Sequence, residues 1–203
     1  MAGDATGDLV VLLLAAGAST RMRGRDKLLE PVEGMPLLRR QALAALATGL
    51  PVLVALPEPA GARGDALRGL ALGRVTVVDA ALGMGHSIAA GARAVADGAA
   101  VMVLAADMPG IGAAEISTVA HAFRSDPARI RRGASGGRPG HPVVFPARLV
   151  PELRALAGDQ GARDLVAREG ALAVPLPRDA ATLDLDTPEA WAEWRGRITS
   201  AEG

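Results

Sequence analysis

Two groups of charged residues in this sequence could bind a phosphorylated ligand and a metal ion. The first follows an apolar run, where Leu14-Ala15-Ala16-Gly17-Ala18-Ser19-Thr20-Arg21-Met22 leads to Arg23, Arg25 and Lys27. Small residues let backbone N–H groups approach phosphate oxygens, and the cations that follow can neutralise a triphosphate. This segment is not a Walker loop, because no Gly-Lys-Ser/Thr sequence follows it. The alternative is a basic surface loop without a ligand.

The second group consists of aspartates. Asp107 comes directly after another apolar run, and Asp184 and Asp186 are two residues apart near the end of the chain. Residues two apart on an extended segment face the same way, and Mg²⁺ prefers one or two carboxylates together with substrate phosphates. Either Asp184 or Asp186 could therefore complete a magnesium site with Asp107. The alternative is that these acids only cap a helix or favour its positive end.

Two glycine-rich segments are further candidates for ligand contacts. Gly83-Met84-Gly85-His86-Ser87 opens a predicted helix, so its backbone amides could hold an anion, although Ile88 stands where a dinucleotide fingerprint has its third glycine. Gly136-Gly137-Arg138-Pro139-Gly140-His141-Pro142 could be a mobile flap or approach a ligand closely, and His141 is the best placed of the three histidines. The alternative for this second segment is a tight hairpin with an exposed histidine.

Alternating strands and helices must position these residues. Apolar runs predict buried strands at 9–15, 52–56, 75–78 and 100–105. Helical periodicity predicts helices at 36–47, 64–72, 87–96 and 113–123, the third of them capped by Ser87. This alternation predicts an α/β fold with a mainly parallel sheet and right-handed crossovers. Ligands of such sheets bind at the carboxyl ends of the strands, where the basic loop and Asp107 are expected to lie.

The regular alternation ends after residue 124. Short strands are predicted at 142–145, 172–174 and 183–185, and helices at 146–156 and 162–168. A last helix begins at Pro188 with Thr187 as its N-cap, and Trp191 and Trp194 are expected to pack it from one side. Because there is no linker and no internal repeat, residues 1–203 are predicted to form a single domain.

The composition narrows the classes of function. Lys and Arg number 22, as do Asp and Glu, so the formal net charge is zero and no global positive field favours nucleic-acid binding. The absence of cysteine excludes disulfides, zinc–thiolate sites and a thiol nucleophile, and is compatible with a reducing cytosol. The first eight residues do not have the pattern of a signal peptide, and the apolar run 9–16 is too short to span a bilayer. A cytoplasmic protein without a membrane partner is therefore predicted.

Taken together, these motifs resemble the molybdenum cofactor nucleotidyltransferases, most closely the cytidylyltransferase branch of the molybdopterin-guanylyltransferase-like family. That family begins Leu-Ala-Ala-Gly-x-Ser-x-Arg-Met-Gly-x-x-Lys, which residues 14–22 match throughout. Agreement continues, in the family's order, at Gly83-Met84-Gly85-x-Ser87, Asp107-Met108-Pro109, Gly140-His141-Pro142 and Asp184-Leu185-Asp186-Thr187-Pro188. One departure is that the segment before Lys27 is one residue longer than in the family, so that Arg23 or Arg25 could share the role of Lys27.

The resemblance implies a Rossmann-like three-layer fold of the nucleotide-diphospho-sugar-transferase type. It also implies Mg²⁺-dependent transfer of CMP from CTP to a phosphorylated acceptor, molybdopterin or the molybdenum cofactor, with release of pyrophosphate. A molybdoenzyme or its chaperone would be a transient partner. Arg21, Lys27 and Asp107 would be catalytic, and Asp107 and Asp186 would bind Mg²⁺. The nucleotide would contact Leu14, Ala15, Ala16, Gly17, Arg21, Lys27, Gly83 and Ser87, and the acceptor would contact Gly140 and His141.

Two other functions remain open from the sequence. An NAD(P)-dependent oxidoreductase acting on a heterocycle is favoured slightly by the turn at 83–87 and disfavoured by Ile88. A non-catalytic chaperone that binds cofactor precursors is disfavoured by the presence of Arg21, Lys27, Asp107 and Asp186. The choice of CTP over GTP comes from the resemblance, because cytidylyl members read Leu-Ala-Ala-Gly, as here, whereas guanylyl members usually read Leu-Ala-Gly-Gly.

Overall fold

The fold is seen in a computed structural model, which describes residues 9–58, 60–158 and 162–201. The expectation about the first eight residues lies outside this part of the chain. The strands are β1 (Leu9–Leu14), β2 (Pro31–Val32), β3 (Met35–Pro36), β4 (Val52–Leu56), β5 (Gly73–Thr76), β6 (Ala100–Ala105), β7 (Ile130–Ser135), β8 (Arg138–Phe145) and β9 (Ala171–Pro175). The helices are α1 (Leu37–Leu46), α2 (Ala62–Ala66), α3 (Met84–Arg93), α4 (Ala113–Ser125), α5 (Val150–Arg154), α6 (Arg163–Glu169) and α7 (Pro188–Ala201).

Seven of these strands form one sheet, in the order β5-β4-β1-β6-β8-β7-β9. β1 pairs in parallel with β4 on one side and β6 on the other, and β5 extends the parallel part beyond β4. β8 is antiparallel to both β6 and β7, whereas β9 is parallel to β7, so that β8 alone runs against the other strands of this sheet. The predicted α/β class with a mainly parallel sheet is confirmed.

Apolar side chains of β1 alternate between two cores, one on each face of the sheet. Leu9, Val11 and Leu13 pack in the core that contains the buried residues of α1, α4 and α7, including Trp191. Val10, Leu12 and Leu14 pack in the core beneath α3, α5 and α6. A strand buried on both faces reads as a continuous apolar run, and its position at the centre of three layers fixes where the loop after Leu14 emerges.

Several predicted elements differ from the observed ones. The third helix begins at Met84, so Ser87 lies in its first turn and is not the N-cap. The strand predicted at 183–185 does not form; instead the Leu185 N–H donates to the carbonyl of Asp107 at 3.3 Å. The strand predicted at 75–78 is Gly73–Thr76, and the helix predicted at 64–72 is the short α2. By contrast, α7 begins at Pro188 as predicted, with the Thr187 hydroxyl accepting from the Ala190 N–H at 3.2 Å.

The segment after residue 124 is more regular than the sequence indicates. β7 and β8 form an antiparallel hairpin whose turn, Gly136–Gly137, has φ of 56° and 76°. Such positive φ values are unstrained in glycine, which explains the glycine pair. The predicted tight hairpin is confirmed by this pairing, whereas the mobility of the segment stays a prediction. Within the described residues, no helix is long and apolar enough to cross a membrane; the cytoplasmic location stays a prediction.

Candidate functional site

The loop that follows β1 leaves the carboxyl end of an interior strand of the sheet. The parallel ladder continues one step past the strand on each side, since the Ala15 N–H donates to Ala55 O at 2.9 Å and the Ala106 N–H donates to Leu14 O at 3.1 Å. Ala15 and Ala16 are buried, whereas Gly17 and Ala18 are exposed. The backbone therefore turns from the core to the surface within these four residues, at the edge where α/β sheets bind ligands.

Arg63, near the start of α2, fixes this loop by hydrogen bonds to residues at both of its ends. Its guanidinium donates to Ala15 O at 2.6 Å and forms two hydrogen bonds with the Asp26 carboxylate, at 2.6 and 2.9 Å. Only 8% of Arg63 is exposed, and the bidentate geometry makes this a strong, directional contact. Both ends of the loop from Ala15 to Asp26 are thus tied to one side chain. The sequence motifs do not identify Arg63, because nothing local marks a partner 37 residues away.

Lys27 lies between two aspartates that are distant in the sequence. Its Nζ donates to Asp107 Oδ2, at the end of β6, and to Asp186 Oδ1, just before α7. Arg21 contacts the other oxygen of Asp186 from its Nη2 at 2.6 Å. The expected convergence of the loop, Asp107 and Asp186 on one rim of the sheet is confirmed by these contacts.

The two other cations of the loop point elsewhere. Arg23 forms an ion pair with Glu189 at 2.6 Å, and Arg25 forms one with Glu30 at 3.2 Å. Lys27 reaches the aspartates despite the additional residue that precedes it. The hypothesis that Arg23 or Arg25 shares the role of Lys27 therefore has no support in the observed contacts.

The charges at this rim keep Lys27 protonated. Burial alone lowers the pKa of Lys27, but the Asp107 and Asp186 carboxylates outweigh it, and the net pKa lies above its ordinary value of 10.5. Asp184 does not contact Lys27 through any observed hydrogen bond or ion pair. Burial, with the nearby Asp186 and Asp107, raises the pKa of Asp184. Of the two candidates for a carboxylate that acts together with Asp107, the contacts single out Asp186.

Three adjoining cavities surround the loop, and all of them are lined by Gly17 and Ala18. The central cavity, of about 390 Å³, is also lined by Leu14, Ala16, Lys27, Gly83, Ser87 and Asp107. A neighbouring cavity of about 490 Å³ extends past Arg63 and Val77, and a smaller one of about 200 Å³ is lined by Arg21, Lys27 and Asp186. The two larger volumes lie in the range of small-molecule sites. The central cavity thus unites most of the predicted nucleotide-binding residues.

Gly140 and His141 lie outside the central cavity. Gly140 is buried, and a Cβ at this position would lie 1.7 Å from Ala181 O, so the close approach of the two backbones requires a glycine. The His141 N–H donates to the same oxygen at 2.9 Å. The side chain of His141 lines a fourth cavity, of about 370 Å³, together with Met84, which also lines the central cavity. His141 belongs to the hairpin, but the expectation that it is exposed is wrong, because it is partly buried.

His141 is held as a neutral imidazole. Its Nδ1 lies 3.3 Å from Val103 O, and because a carbonyl only accepts, Nδ1 must carry the proton. Burial lowers the pKa of His141 below 6.5; the Val103 hydrogen bond and the charges of Asp107 and Asp184 oppose this, and Arg132 adds to it. The unprotonated Nε2 is therefore a hydrogen-bond acceptor at neutral pH.

We expect His141 to make the fold sensitive to acid. Because the pKa of His141 is lower in the folded chain than in the unfolded chain, the unfolded chain binds more protons as the solution is acidified. The contribution of the neutral His141 to the free energy of unfolding is therefore complete above pH 6.5 and is lost as the pH falls through the lowered pKa. His141→Gln should therefore lose less free energy of unfolding than the wild type between about pH 7 and pH 5. Urea unfolding across this range measures the effect. His121→Gln, which changes an exposed histidine, should keep the acid sensitivity of the wild type; identical pH profiles for all three proteins would contradict the expectation.

Comparison with known proteins assigns this chain to a family. The sequence pattern of the MobA-like NTP transferase domain matches residues 11–173. The purine catabolism protein PucB of Bacillus subtilis strain 168 is 32% identical over 198 residues, which cover 90% of this chain and 94% of PucB.

Solved structures share the fold. A nucleotidyl transferase from Methanothermobacter, Mth528, superposes with a TM-score of 0.78 at 20% identity, over 96% of this chain and 99% of that protein. Rv0371c from Mycobacterium tuberculosis H37Rv, in a complex with manganese, superposes with a TM-score of 0.74 at 23% identity, over 92% of this chain and 97% of that one. The predicted Rossmann-like, nucleotide-diphospho-sugar-transferase-like fold is confirmed.

Proposed function

This chain belongs to the family of MobA-like NTP transferase domains, and we propose that it transfers CMP from CTP to a phosphorylated acceptor with release of pyrophosphate. The observation that carries the proposal is the contact of Lys27 with both Asp107 and Asp186 at the edge of the central cavity. A cation held between two carboxylates, beside a loop of small residues, is an arrangement suited to a triphosphate and a metal ion.

The cavities suggest how the nucleotide lies. We place the base and sugar against Leu14, Ala16 and Gly17, with Gly83 and Ser87 as further walls of the central cavity. Ala15 is buried behind these residues and does not line the cavity. The phosphates then extend toward the smaller cavity, where Arg21, Lys27 and Asp186 line the wall. Exposure of the Arg21 side chain, at 71%, leaves it accessible to phosphate oxygens.

The residues present fit a divalent cation. Asp107 and Asp186 both contact one ammonium group, so their oxygens are within reach of a single cation. No group of three or more His, Cys, Asp or Glu side chains within the described ranges could hold a metal. Two carboxylates suit Mg²⁺ or Mn²⁺, which complete their coordination with waters and substrate phosphates. When bound, the ion would supply neutralisation of the charge on the reacting phosphates. Rv0371c, which shares the fold, has been solved in a complex with manganese, and this is compatible with a divalent ion here.

The proposed reaction needs no covalent intermediate. An oxygen of the acceptor phosphate forms a bond to the α-phosphorus as the bond from that phosphorus to pyrophosphate breaks on the opposite side. An acceptor phosphate that is already ionised needs no general base. Arg21 and Lys27 stabilise the added negative charge, and the loop fixed by Arg63 positions the reacting groups. We assign acceptor contacts to His141, whose cavity shares Met84 with the central one. The neighbouring Gly140 does not line that cavity and packs against the Ala181 backbone.

The identity of the acceptor rests on the motif resemblance. It favours molybdopterin or the molybdenum cofactor as the acceptor, and a molybdoenzyme or its chaperone as a transient partner. The similarity to PucB, a purine catabolism protein, does not identify the acceptor.

Nucleotide binding measured by thermal shift tests the proposed class of activity. CTP should raise the melting temperature, and Mg²⁺ or Mn²⁺ should increase this shift, because the ligand stabilises only the folded chain. GTP, ATP, NAD and NADPH should have smaller effects. Stabilisation by NADPH but not by CTP would favour the oxidoreductase. Stabilisation by molybdopterin without any response to a nucleotide would favour the chaperone.

Arg21 should be sensitive even to the conservative change to lysine. The planar guanidinium of Arg21 can donate hydrogen bonds to two phosphate oxygens at once, a bidentate geometry that an ammonium group cannot form. We expect Arg21→Lys to lower kcat/KM by about 10-fold and Arg21→Ala by about 100-fold, because charge-assisted hydrogen bonds to the transition state are lost. Steady-state kinetics of pyrophosphate release measures both. Arg25→Ala removes an equally charged residue of the same loop that pairs with Glu30, and should remain within about threefold of the wild type. Wild-type kinetics in Arg21→Ala would show that the loop is only a basic surface.

A further inference from the structure

Two arginines line the fourth cavity, and the sequence motifs do not explain them. We call it the basic cavity; it is lined by Arg132 on β7, His141 on β8 and Arg163 at the start of α6, among other residues. The Arg132 Nε donates to Gly140 O at 2.9 Å, which fixes this guanidinium beside the hairpin. In the described ranges, no carboxylate pairs with Arg132 or Arg163.

The neighbouring arginines behave differently. Arg131, one residue from Arg132 on the same strand, pairs with Asp126 at 3.4 Å, and Arg168 on α6 pairs with Glu152 at 2.7 Å. Partial burial, together with the positive charge of Arg163, lowers the pKa of Arg132. Two like charges that face one cavity without a carboxylate are unfavourable in the empty protein, and an anionic ligand would relieve their repulsion.

The rest of the wall is apolar. Val143 and Phe145 of β8, Ile88 of α3 and Val166 of α6 also line the cavity. A volume of about 370 Å³ is enough for an aromatic ring bearing an anionic group. His141 adds one specific polar contact, because its unprotonated Nε2 can accept a hydrogen bond from a ligand N–H or O–H.

We propose that the basic cavity binds the acceptor, and that the acceptor is an organic phosphate with a flat ring system. Arg132 and Arg163 hold its anionic group, Phe145 and the aliphatic wall contact the ring system, and His141 Nε2 accepts a hydrogen bond from it. This inference rests on the proposed function, since Met84 lies between this cavity and the proposed nucleotide site. Arg132 and Arg163 thereby become specificity-determining residues.

Binding of phenyl phosphate, followed by NMR of the ¹⁵N-labelled protein, tests the proposal. The probe is titrated with Mg²⁺ and a saturating CTP analogue whose α–β bridge is a methylene group, so that the loop cations are occupied and no turnover occurs. The amides of Val166 and Ala167 should shift. Phenyl phosphate should bind at least about 10-fold more tightly than inorganic phosphate, which lacks the ring, or phenol, which lacks the charge.

Variants separate this site from non-specific attraction. Arg163→Gln, at an exposed position, should weaken phenyl phosphate binding by about 10-fold without affecting the fold, and Arg132→Gln should act similarly. Ala167→Glu adds a negative charge on the cavity wall and should also weaken binding, whereas the uncharged Ala167→Gln should have less than a twofold effect. Arg138→Gln, on the same hairpin but outside the cavity, is the matched control for lost charge and should bind as the wild type does.

The outcomes distinguish this proposal from the proposed function. Equal binding by the wild type and Arg163→Gln, or shifts confined to other residues, would overturn the acceptor site even if the CTP analogue binds. Failure of the analogue to bind, while phenyl phosphate alone still binds in a manner dependent on Arg163, would overturn the nucleotidyltransferase assignment and leave an organic phosphate site in the basic cavity.

Discussion

Asp107→Asn is expected to lower the rate of pyrophosphate release by about 100-fold while leaving the fold intact. That factor corresponds to about 2.7 kcal/mol of transition-state stabilisation, at 1.36 kcal/mol per decade. Asparagine has the same shape but no charge, so one of the two negative groups that face Lys27 is neutralised. A metal ion would then have only Asp186 as a charged protein ligand, and the reacting phosphates would be less well neutralised.

Three comparisons make this experiment specific. Asp186→Asn should cause a loss of similar size, because Asp186 shares Lys27 with Asp107. Asp184→Asn should lose less than about tenfold, since Asp184 makes no contact with Lys27 among the hydrogen bonds and ion pairs observed. CTP binding without a divalent ion should be at least as strong in Asp107→Asn as in the wild type, because Lys27 is less firmly held by carboxylates. Full activity of Asp107→Asn with Mg²⁺, CTP and molybdopterin would refute the metal assignment.

The parallel half of the sheet could be predicted from local sequence because its strands are buried on both faces. β1, β4 and β6 appear as continuous runs of Val, Leu, Met and Ala, and their ends were predicted to within one residue. Acidic and small residues that directly follow such runs must lie at the carboxyl edge of the sheet. The predicted meeting of the basic loop with Asp107 therefore followed from strand direction alone.

Contacts between distant segments account for what could not be predicted. The segment 183–185 alternates as a strand would, but its backbone binds the loop at Asp107 instead of a neighbouring strand. β7 and the start of β8 contain the charged residues Arg131, Arg132 and Arg138, and the apolar pattern of a strand is therefore weak. Arg63 is recognisable only when Ala15 and Asp26 are seen beside it.

The additional residue before Lys27 illustrates the limit of motif spacing. Arg23 and Gly24 both have positive φ, at 51° and 86°, and the Arg25 N–H donates to Met22 O at 3.1 Å. These residues form a turn that takes up the extra length on the surface. Because Asp26 is fixed by Arg63, Lys27 begins from a fixed position and still reaches both aspartates. Spacing in the sequence indicated that Arg23 or Arg25 could share the role of Lys27, whereas in the folded loop only Lys27, of these three cations, contacts the Asp107 carboxylate.

The choice of nucleotide depends on the backbone at Ala16. Only 4% of Ala16 is exposed, and its methyl group packs in the core with Leu14, Val77 and Ile88. Residue 16 nevertheless lines both larger cavities beside the loop, which Gly17 and Ala18 also line. The methyl group therefore acts less by filling the cavity than by fixing the backbone that bounds it. A glycine at this position would have more conformational freedom and could retreat from a larger base.

We expect the wild type to prefer CTP to GTP by about 10- to 200-fold in kcat/KM. Steric differences of this kind are typically worth only ~1–3 kcal/mol, so weak use of GTP should remain detectable. Ala16→Gly should narrow the ratio of the two kcat/KM values, because the loop can then widen for a purine. The ratio, unlike either value alone, is insensitive to the fraction of variant protein that is folded. Competition between CTP and GTP at equal concentrations, with the two products separated, measures it directly.

Ala18→Gly is the matched control for Ala16→Gly, because Ala18 lines the same cavities but is exposed and has no core packing to lose. Its CTP-to-GTP ratio should stay within about twofold of the wild-type ratio, since added backbone freedom on the surface does not move the wall that the base contacts. If only Ala16→Gly narrows the ratio, the anchored methyl group selects the pyrimidine. Equal use of both nucleotides by the wild type, or a preference for GTP, would contradict selection by Ala16 and remove the cytidylyl assignment.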